Sequence, residues 1–284
     1  MYNAAIKTIL ITVAVLSLCG CSNRKEEAEE RATILYQEAE QAIKARNYAL
    51  ALSLLDSIDS SCRAATDTRR KVMHLRTAAN EGLTVHEIEQ TDSLMAVADF
   101  QVKQLTGSLQ YVSNPIEGYY IASGTPADVH GTTGLHARLM KDGTFYLIST
   151  VAGRGVGHTS VTVSTGGESA TTASVRHDGE QNDRSSGTEI VNYSGGDCDT
   201  VPKLMLKHPD ATFTVTYNGA HPYSTPLAQS QRDAIVRLYS VVDKRDEHRR
   251  LMARKAVLEK RLQIIRSQAA RTFVETPSDS SNTK

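Results

Sequence analysis

Six of the nine histidines fall between Gly118 and Pro226: His130, His136, His158, His177, His208 and His221. Histidine titrates near neutral pH and is the commonest metal ligand, so this segment is the first place to look for chemistry. No pair among the six has the helical or knuckle spacing of a zinc site, so hydrogen-bonded or surface imidazoles are expected and no metal is assigned. Asp178, Asp183, Asp197 and Asp199 sit in Gly-rich stretches, but their spacing departs from a calcium-binding EF-hand loop. His86-Glu87-Ile88-Glu89-Gln90 opens like a zinc-protease helix, then places Gln90 where the second His must stand. There is no Gly-x-Ser-x-Gly elbow. Cys198 lies in Gly195-Gly196-Asp197-Cys198-Asp199, where two acids raise a thiol pKa rather than activate it.

The Gly153-Arg154-Gly155-Val156-Gly157 run lies between expected strands and lacks a following helix N-terminus to hold phosphate, so it reads as a hairpin loop. No catalytic residue and no cofactor is therefore assigned. Binding remains, and loops on a rigid scaffold commonly carry it. The segments Arg154 to His158 and His177 to Ser186 supply the candidate contact residues Arg154, His158, His177 and Asp178.

The elements that must hold these loops are legible from periodicity. Short alternating runs rich in Gly, Thr, Ser, Val and Tyr predict a mostly antiparallel, sandwich-like β-domain over residues 113–226. Its best unit is a hairpin of Leu135–Met140 and Thr144–Ser149 around Asp142-Gly143, where Gly supplies the positive φ of a tight turn. Further strands are expected at Tyr119–Ala122, Ser160–Ser164, Thr171–Val175, Glu189–Tyr193 and Ala211–Tyr217. A short helix is expected from Thr200, with Thr200 as its cap and Pro202 in the first turn.

Helices flank this domain. Beyond Gly82, residues 82–112 carry Ile88, Met95, Val102 and Leu109 seven apart, with Thr91, Ala98 and Leu105 as a second row: the seam of a coiled coil. Residues 227–273 answer with Leu251, Leu258 and Ile265, and with Leu262 and Ala269. His248 and Lys255 interrupt that seam, and Ile235, Leu238 and Val242 have the option of packing on something other than one helix. The expectation is an α+β chain in which the two long helices pair antiparallel as a stalk around an inserted β-head. About 28 helical residues span roughly 42 Å. The same seams admit self-association. A Ser/Asn/Asp-rich tail, residues 274–284, ends the chain.

The N-terminus has the three parts of an export signal: Lys7, an apolar run from Thr8 to Leu18, and a small-residue cleavage region, too short for a membrane-spanning helix. Leu18-Cys19-Gly20-Cys21 resembles the lipobox of bacterial lipoproteins. That resemblance implies removal of residues 1–20 and an acyl chain on Cys21 that tethers the chain to a membrane. Ser22 after the Cys resembles lipoproteins sent to the outer membrane, and Lys25-Glu26-Glu27 resembles a short export tag for the cell surface. A solvated helix start explains the acids equally well. Further on, Tyr36–Ala42, the turn at Arg46-Asn47 and the Ala/Leu-rich run from Tyr48 resemble one tetratricopeptide repeat within an N-terminal helical hairpin, residues 21–81. No second copy follows at the repeat period.

Composition narrows the partners. With Lys7 removed, acids exceed bases by one, and no basic patch offers a nucleic-acid footprint. Trp is absent and only four Phe are present, which argues against a stacking platform for bases. Cys62 and Cys198 are either a disulfide or two free thiols. The expected role is that of a cell-envelope, outer-membrane lipoprotein whose head binds a protein or a glycan. The alternatives are a periplasm-facing scaffold that uses the helical hairpin and, third, a hydrolase with its site in the head.

Overall fold

A computed structural model describes residues 21–272. The expected signal segment, 1–20, and the tail, 274–284, lie outside the described residues. The described residues form five α-helices and two antiparallel sheets, an α+β fold. It divides into two compact units, one of residues up to 90 together with those from 256 onward, the other of residues 91–255.

The first unit begins with α1 (Cys21–Lys44) and α2 (Tyr48–Ser61), joined by a tight turn, and continues into α3 (Thr66–Gly107). The turn at Arg46-Asn47 is as expected: Arg46 takes φ +58° and the Asn47 side chain accepts from Leu50 N–H at 3.2 Å. Ala32, Ala39, Leu55, Ile58, Ala65 and Val72 form a common core of the three helices. The acids early in α1 do more than favour their own helix. The Glu29 carboxylate accepts from the backbone N–H of Asp67 (2.9 Å) and Thr68 (3.2 Å), so one helix caps the start of another. Gly82 does not open a second helix, because α3 runs through it without a break. A Cβ at Gly82 would collide with the Tyr48 ring from the start of α2, so glycine here serves close packing rather than punctuation. The last helix, α5 (Gln229–Thr272), contributes its C-terminal part to this unit, with Arg261 beside Glu87 at 3.7 Å and Arg266 on Glu81 at 2.7 Å.

In the second unit the end of α3 and the start of α5 pair antiparallel. Asp92 meets Lys255 at 2.7 Å, and one heptad later Asp99 meets His248 at 3.4 Å. This explains the polar breaks in the seam, since both intruding residues reach acids on the facing helix. Thr91 and Ala98 are buried in the same stretch. The α3 helix ends at Gly107, and Leu109 belongs to a strand instead, so the β-unit starts earlier than expected.

The strands are β1 (Leu109–Val112), β2 (Tyr119–Ala122), β3 (Gly134–Met140), β4 (Phe145–Ala152), β5 (Ser160–Thr165), β6 (Glu168–Thr171), β7 (Asn182–Ser185), β8 (Thr188–Ser194), β9 (Thr214–Asn218) and β10 (Tyr223–Pro226). One sheet has the order β1-β2-β3-β4-β8-β7 and the other β10-β9-β5-β6. Their facing sides share one core. Leu135, Leu139, Leu147 and Val191 come from the first sheet, and Val161, Val163, Val215 and Tyr217 from the second. Ile235, Leu238 and Tyr239 of α5 and Val201 and Met205 of α4 (Thr200–Lys207) join that core, so the first turns of α5 pack on the β-domain.

Two local expectations are corrected. The strand foreseen at Thr171–Val175 stops at Thr171, because the Thr172 hydroxyl takes the Val161 N–H (3.1 Å) in place of a ladder carbonyl. Thr200 does not cap α4. Asp199 precedes it in helical backbone after a 3-10 turn, and the Thr200 hydroxyl donates to Thr171 O at 3.1 Å.

Candidate functional site

Alternation along β4 places Phe145, Leu147, Ser149 and Val151 on the inner face. Ser149 is thus a polar residue in phase with the core. Its register partners are Leu135 on β3 and Val191 on β8. On β8 the inner face carries Glu189, Val191 and Tyr193. The loop before β5 adds His158. Gly157 turns at φ +63°, Thr159 N–H donates to Asn218 O at 2.9 Å, and Gly219 lies so close to Val156 and Gly157 that no side chain fits there.

These residues close a relay. Ser149 Oγ lies 2.7 Å from His158 Nε2, and His158 Nδ1 lies 3.1 Å from Glu189 Oε2. The Glu189 carboxylate also accepts from Gly157 N–H at 2.9 Å and pairs with Arg184 at 3.3 Å. Burial works to raise the Glu189 pKa, but the Gly157 and His158 bonds and the Arg184 charge outweigh it and hold the carboxyl below its usual range. Burial lowers the His158 pKa, against the opposing pull of Glu189. An ionised carboxylate only accepts, so Nδ1 carries the hydrogen and Nε2 accepts from the serine hydroxyl. This is the order of nucleophile, base and orienting acid.

Access decides what the relay can do. Ser149 and His158 are both 0% exposed. The Tyr217 ring stands edge-on to the imidazole, centroids 5.3 Å apart. A shallow cleft of about 370 Å³ opens beside Glu189, lined by Arg154, Arg184 and glycines, yet neither Ser149 nor His158 reaches it. Tyr193, above Ser149, has its phenol pushed up to about 12 by burial. The Ser149 and Thr172 hydroxyls temper that shift, although neither closes a normal hydrogen bond to the Tyr193 hydroxyl. The serine hydroxyl and the imidazole are both walled off from solvent here, and their bonds tie β4, β8 and the loop before β5 together.

The opposite face of the same sheet is different. Across β3, β4 and β8, Arg138, Tyr146 and Ser194 stand in one register row, and His136, Ile148 and Asn192 in the next. Tyr119 and Met140, paired between β2 and β3, complete a floor. The loop with Asn114, Ile116 and Glu117 forms one wall and Glu180 with Gln181 the other, around a groove of about 400 Å³. That volume lies within the range of small-ligand sites. The Arg138 guanidinium covers the Tyr119 ring at 4.4 Å and donates to Ala127 O at 3.2 Å. Ile116 is 96% exposed on the rim. A smaller cavity under residues 124–132 reaches His136, whose Nε2 lies 3.1 Å from both the Thr132 and the Thr150 hydroxyls. Burial, with the Arg138 charge, pushes its pKa down to about 4.

The residues expected to make contacts scatter. Arg154 lies over the Tyr223 ring at 4.5 Å, and His177 reaches Gly157 O at 3.1 Å. Asp178 turns its carboxylate to the Glu180 N–H, next to the groove wall. His158, expected on an exposed loop, is instead fully buried, because Glu189 draws it inward. Cys21 begins α1. Cys62 and Cys198 are buried free thiols. Burial raises the Cys198 thiol to about 12, with Asp199 and Asp197 acting in the same direction. Among the described residues, no group of three or more His, Cys, Asp or Glu is placed to hold a metal ion, and no helix is long and apolar enough to cross a membrane.

Sequence reasoning missed Ser149, Glu189 and the groove. The signal for the first two was a polar residue in phase with buried ones. The groove residues come from four strands and two loops, which only the topology assembles. Compared with known protein families, curated proteins and solved structures, the chain matches none.

Proposed function

We propose that this chain is a cell-envelope lipoprotein, anchored through an acylated Cys21, whose β-sandwich unit binds a ligand in the groove on the outer face of its six-stranded sheet. The anchor rests on the lipobox-like Leu18-Cys19-Gly20-Cys21. The observation that carries the binding role is the groove itself. It is a concave surface of about 400 Å³ on the face of paired strands, with hydrogen-bonding side chains converging on it and an exposed apolar residue at its lip. A non-enzymatic role fits the sealed state of the Ser149–His158–Glu189 relay. It also fits the exposed Ser185–His130–Asp128 arrangement, in which the Ser185 hydroxyl, 3.1 Å from His130 Nε2, donates instead to Asp183 at 2.6 Å.

A photo-crosslinking residue placed at Ile116, on the groove rim, tests this in intact cells against the same residue at Ile34. Ile34 is 53% exposed on α1. Adducts at Ile116 alone support the reading. Adducts at Ile34 alone would favour the scaffold role of the helical hairpin, and equal or absent capture would overturn the groove. Loss of membrane association in Cys21→Ala is expected, and retention would remove the anchor.

A further inference from the structure

We infer that the groove takes a neutral glycan, an assignment that rests on the binding role above and names its ligand. Hydrogen-bonding supply is the first argument. Tyr146, Gln181, Asn192 and Ser194 face the groove, and their side chains spend no hydrogen bond on the described protein. The amides and hydroxyls among them both donate and accept. A ligand that satisfies such a set must itself alternate donors and acceptors over its surface, as the hydroxyls of a sugar do.

Charge excludes the anionic alternatives. Glu117 and Glu180 stand on opposite walls, while Arg138 is the one cation lining the groove, already covering Tyr119 and bonded to Ala127 O. A phosphate or uronic acid would face two carboxylates against one committed guanidinium, and like charges disfavour it. Gln181 is tied to the floor through its backbone carbonyl, which accepts from the Asn192 backbone N–H at 2.8 Å.

Shape separates a glycan from a peptide. The floor runs over β3, β4 and β8, each hydrogen-bonded to a strand on both sides. No edge is free inside the groove to receive a peptide as an added strand. Apolar anchoring is also thin, since Ile148 is 1% exposed. The Arg138–Tyr146–Ser194 row crosses three strands, a width of about 10 Å at the usual strand spacing. That accommodates a short run of sugar rings, with the half-buried Tyr146 ring available to their C–H faces.

The test uses the whole chain from residue 21 with Cys21→Ser, presented to an array of neutral and acidic oligosaccharides, with calorimetric titration of the strongest binder. Binding of neutral oligosaccharides is expected, weakened about tenfold by Asn192→Ala and by Tyr146→Ala, as the loss of one directed contact implies. Unchanged thermal melting of both variants establishes that they are folded. Preference for acidic sugars, an array without binding, or affinity indifferent to both substitutions would overturn the glycan. If Ile116 still captures a protein on cells while the array is blank, only the ligand class falls. If Ile116 captures nothing as well, the binding role falls with it.

Discussion

The two faces of one sheet carry polar clusters of opposite character. On the inner face, Ser149, His158 and Glu189 bond to one another, and Glu189 also accepts from a backbone amide and meets Arg184. On the outer face, the side chains of Tyr146, Asn192 and Ser194 line the groove and make no hydrogen bond within the described protein. A residue list would rank the inner cluster as the active one. Satisfaction and access reverse that order: a buried network whose partners are all inside the fold is structure, and an exposed set with capacity to spare is where a ligand gains.

The largest expected effect breaks the inner cluster. Glu189→Ala removes the acceptor for Gly157 N–H and His158 Nδ1–H at a site only 6% exposed, and strands donors in the sandwich interior. A loss of about 3–5 kcal/mol in denaturant unfolding is expected, the scale of breaking a buried charged network. A loss below about 1 kcal/mol would mean that water or Arg184 rearranges to fill the gap, and the cluster would then be no brace.

His136 is the intermediate case, on the outer face but covered, and pH exposes it. Its pKa falls from 6.5 unfolded to about 4 folded. Above pH 6.5 the imidazole is neutral in both states and adds no slope. Between 6.5 and about 4 the unfolded chain takes a proton that the fold refuses, so stability drops as pH falls, and below that the contribution is flat. The full difference is roughly 3 kcal/mol. His136→Gln should flatten that window relative to the parent, and parallel curves would show that burial at this site is incomplete.

Legibility in the sequence followed the range of the interactions. The Asp142-Gly143 hairpin, the Arg46-Asn47 turn and β2 (Tyr119–Ala122) appear where local chemistry puts them, because neighbours in sequence decide them. Gly82 misled as a helix start since its reason is the Tyr48 ring, thirty-odd residues away. β7 and β10 went unread: Asn182–Ser185 and Tyr223–Pro226 are short and polar, and they are strands only because β8 and β9 offer them an edge. The site residues were half legible. The loop of Arg154 and His158 stood out by composition, but the depth of His158 depends on Glu189, which joins it only through the fold.

The smallest effects sharpen the contrast most, since they compare one hydrogen-bonding group from each face. Ser149→Ala leaves the lone pair of His158 Nε2 without its donor and should cost about 1–2 kcal/mol, because both groups are fully buried. Asn192→Ala, on the neighbouring strand but facing out, removes no internal side-chain bond and should fall within about 0.5 kcal/mol of the parent. A serine-directed phosphonate adds an orthogonal readout, since a sealed Ser149 should remain unlabelled at neutral pH. Covalent labelling that disappears in Ser149→Ala would show that the sandwich opens. The relay would then become a working nucleophile and the hydrolase reading would replace the brace. Without labelling, and with stability ordered Glu189, Ser149, Asn192, a serine–histidine–acid geometry acts here as interior bracing, and recognition belongs to the face where hydrogen-bonding capacity is left over.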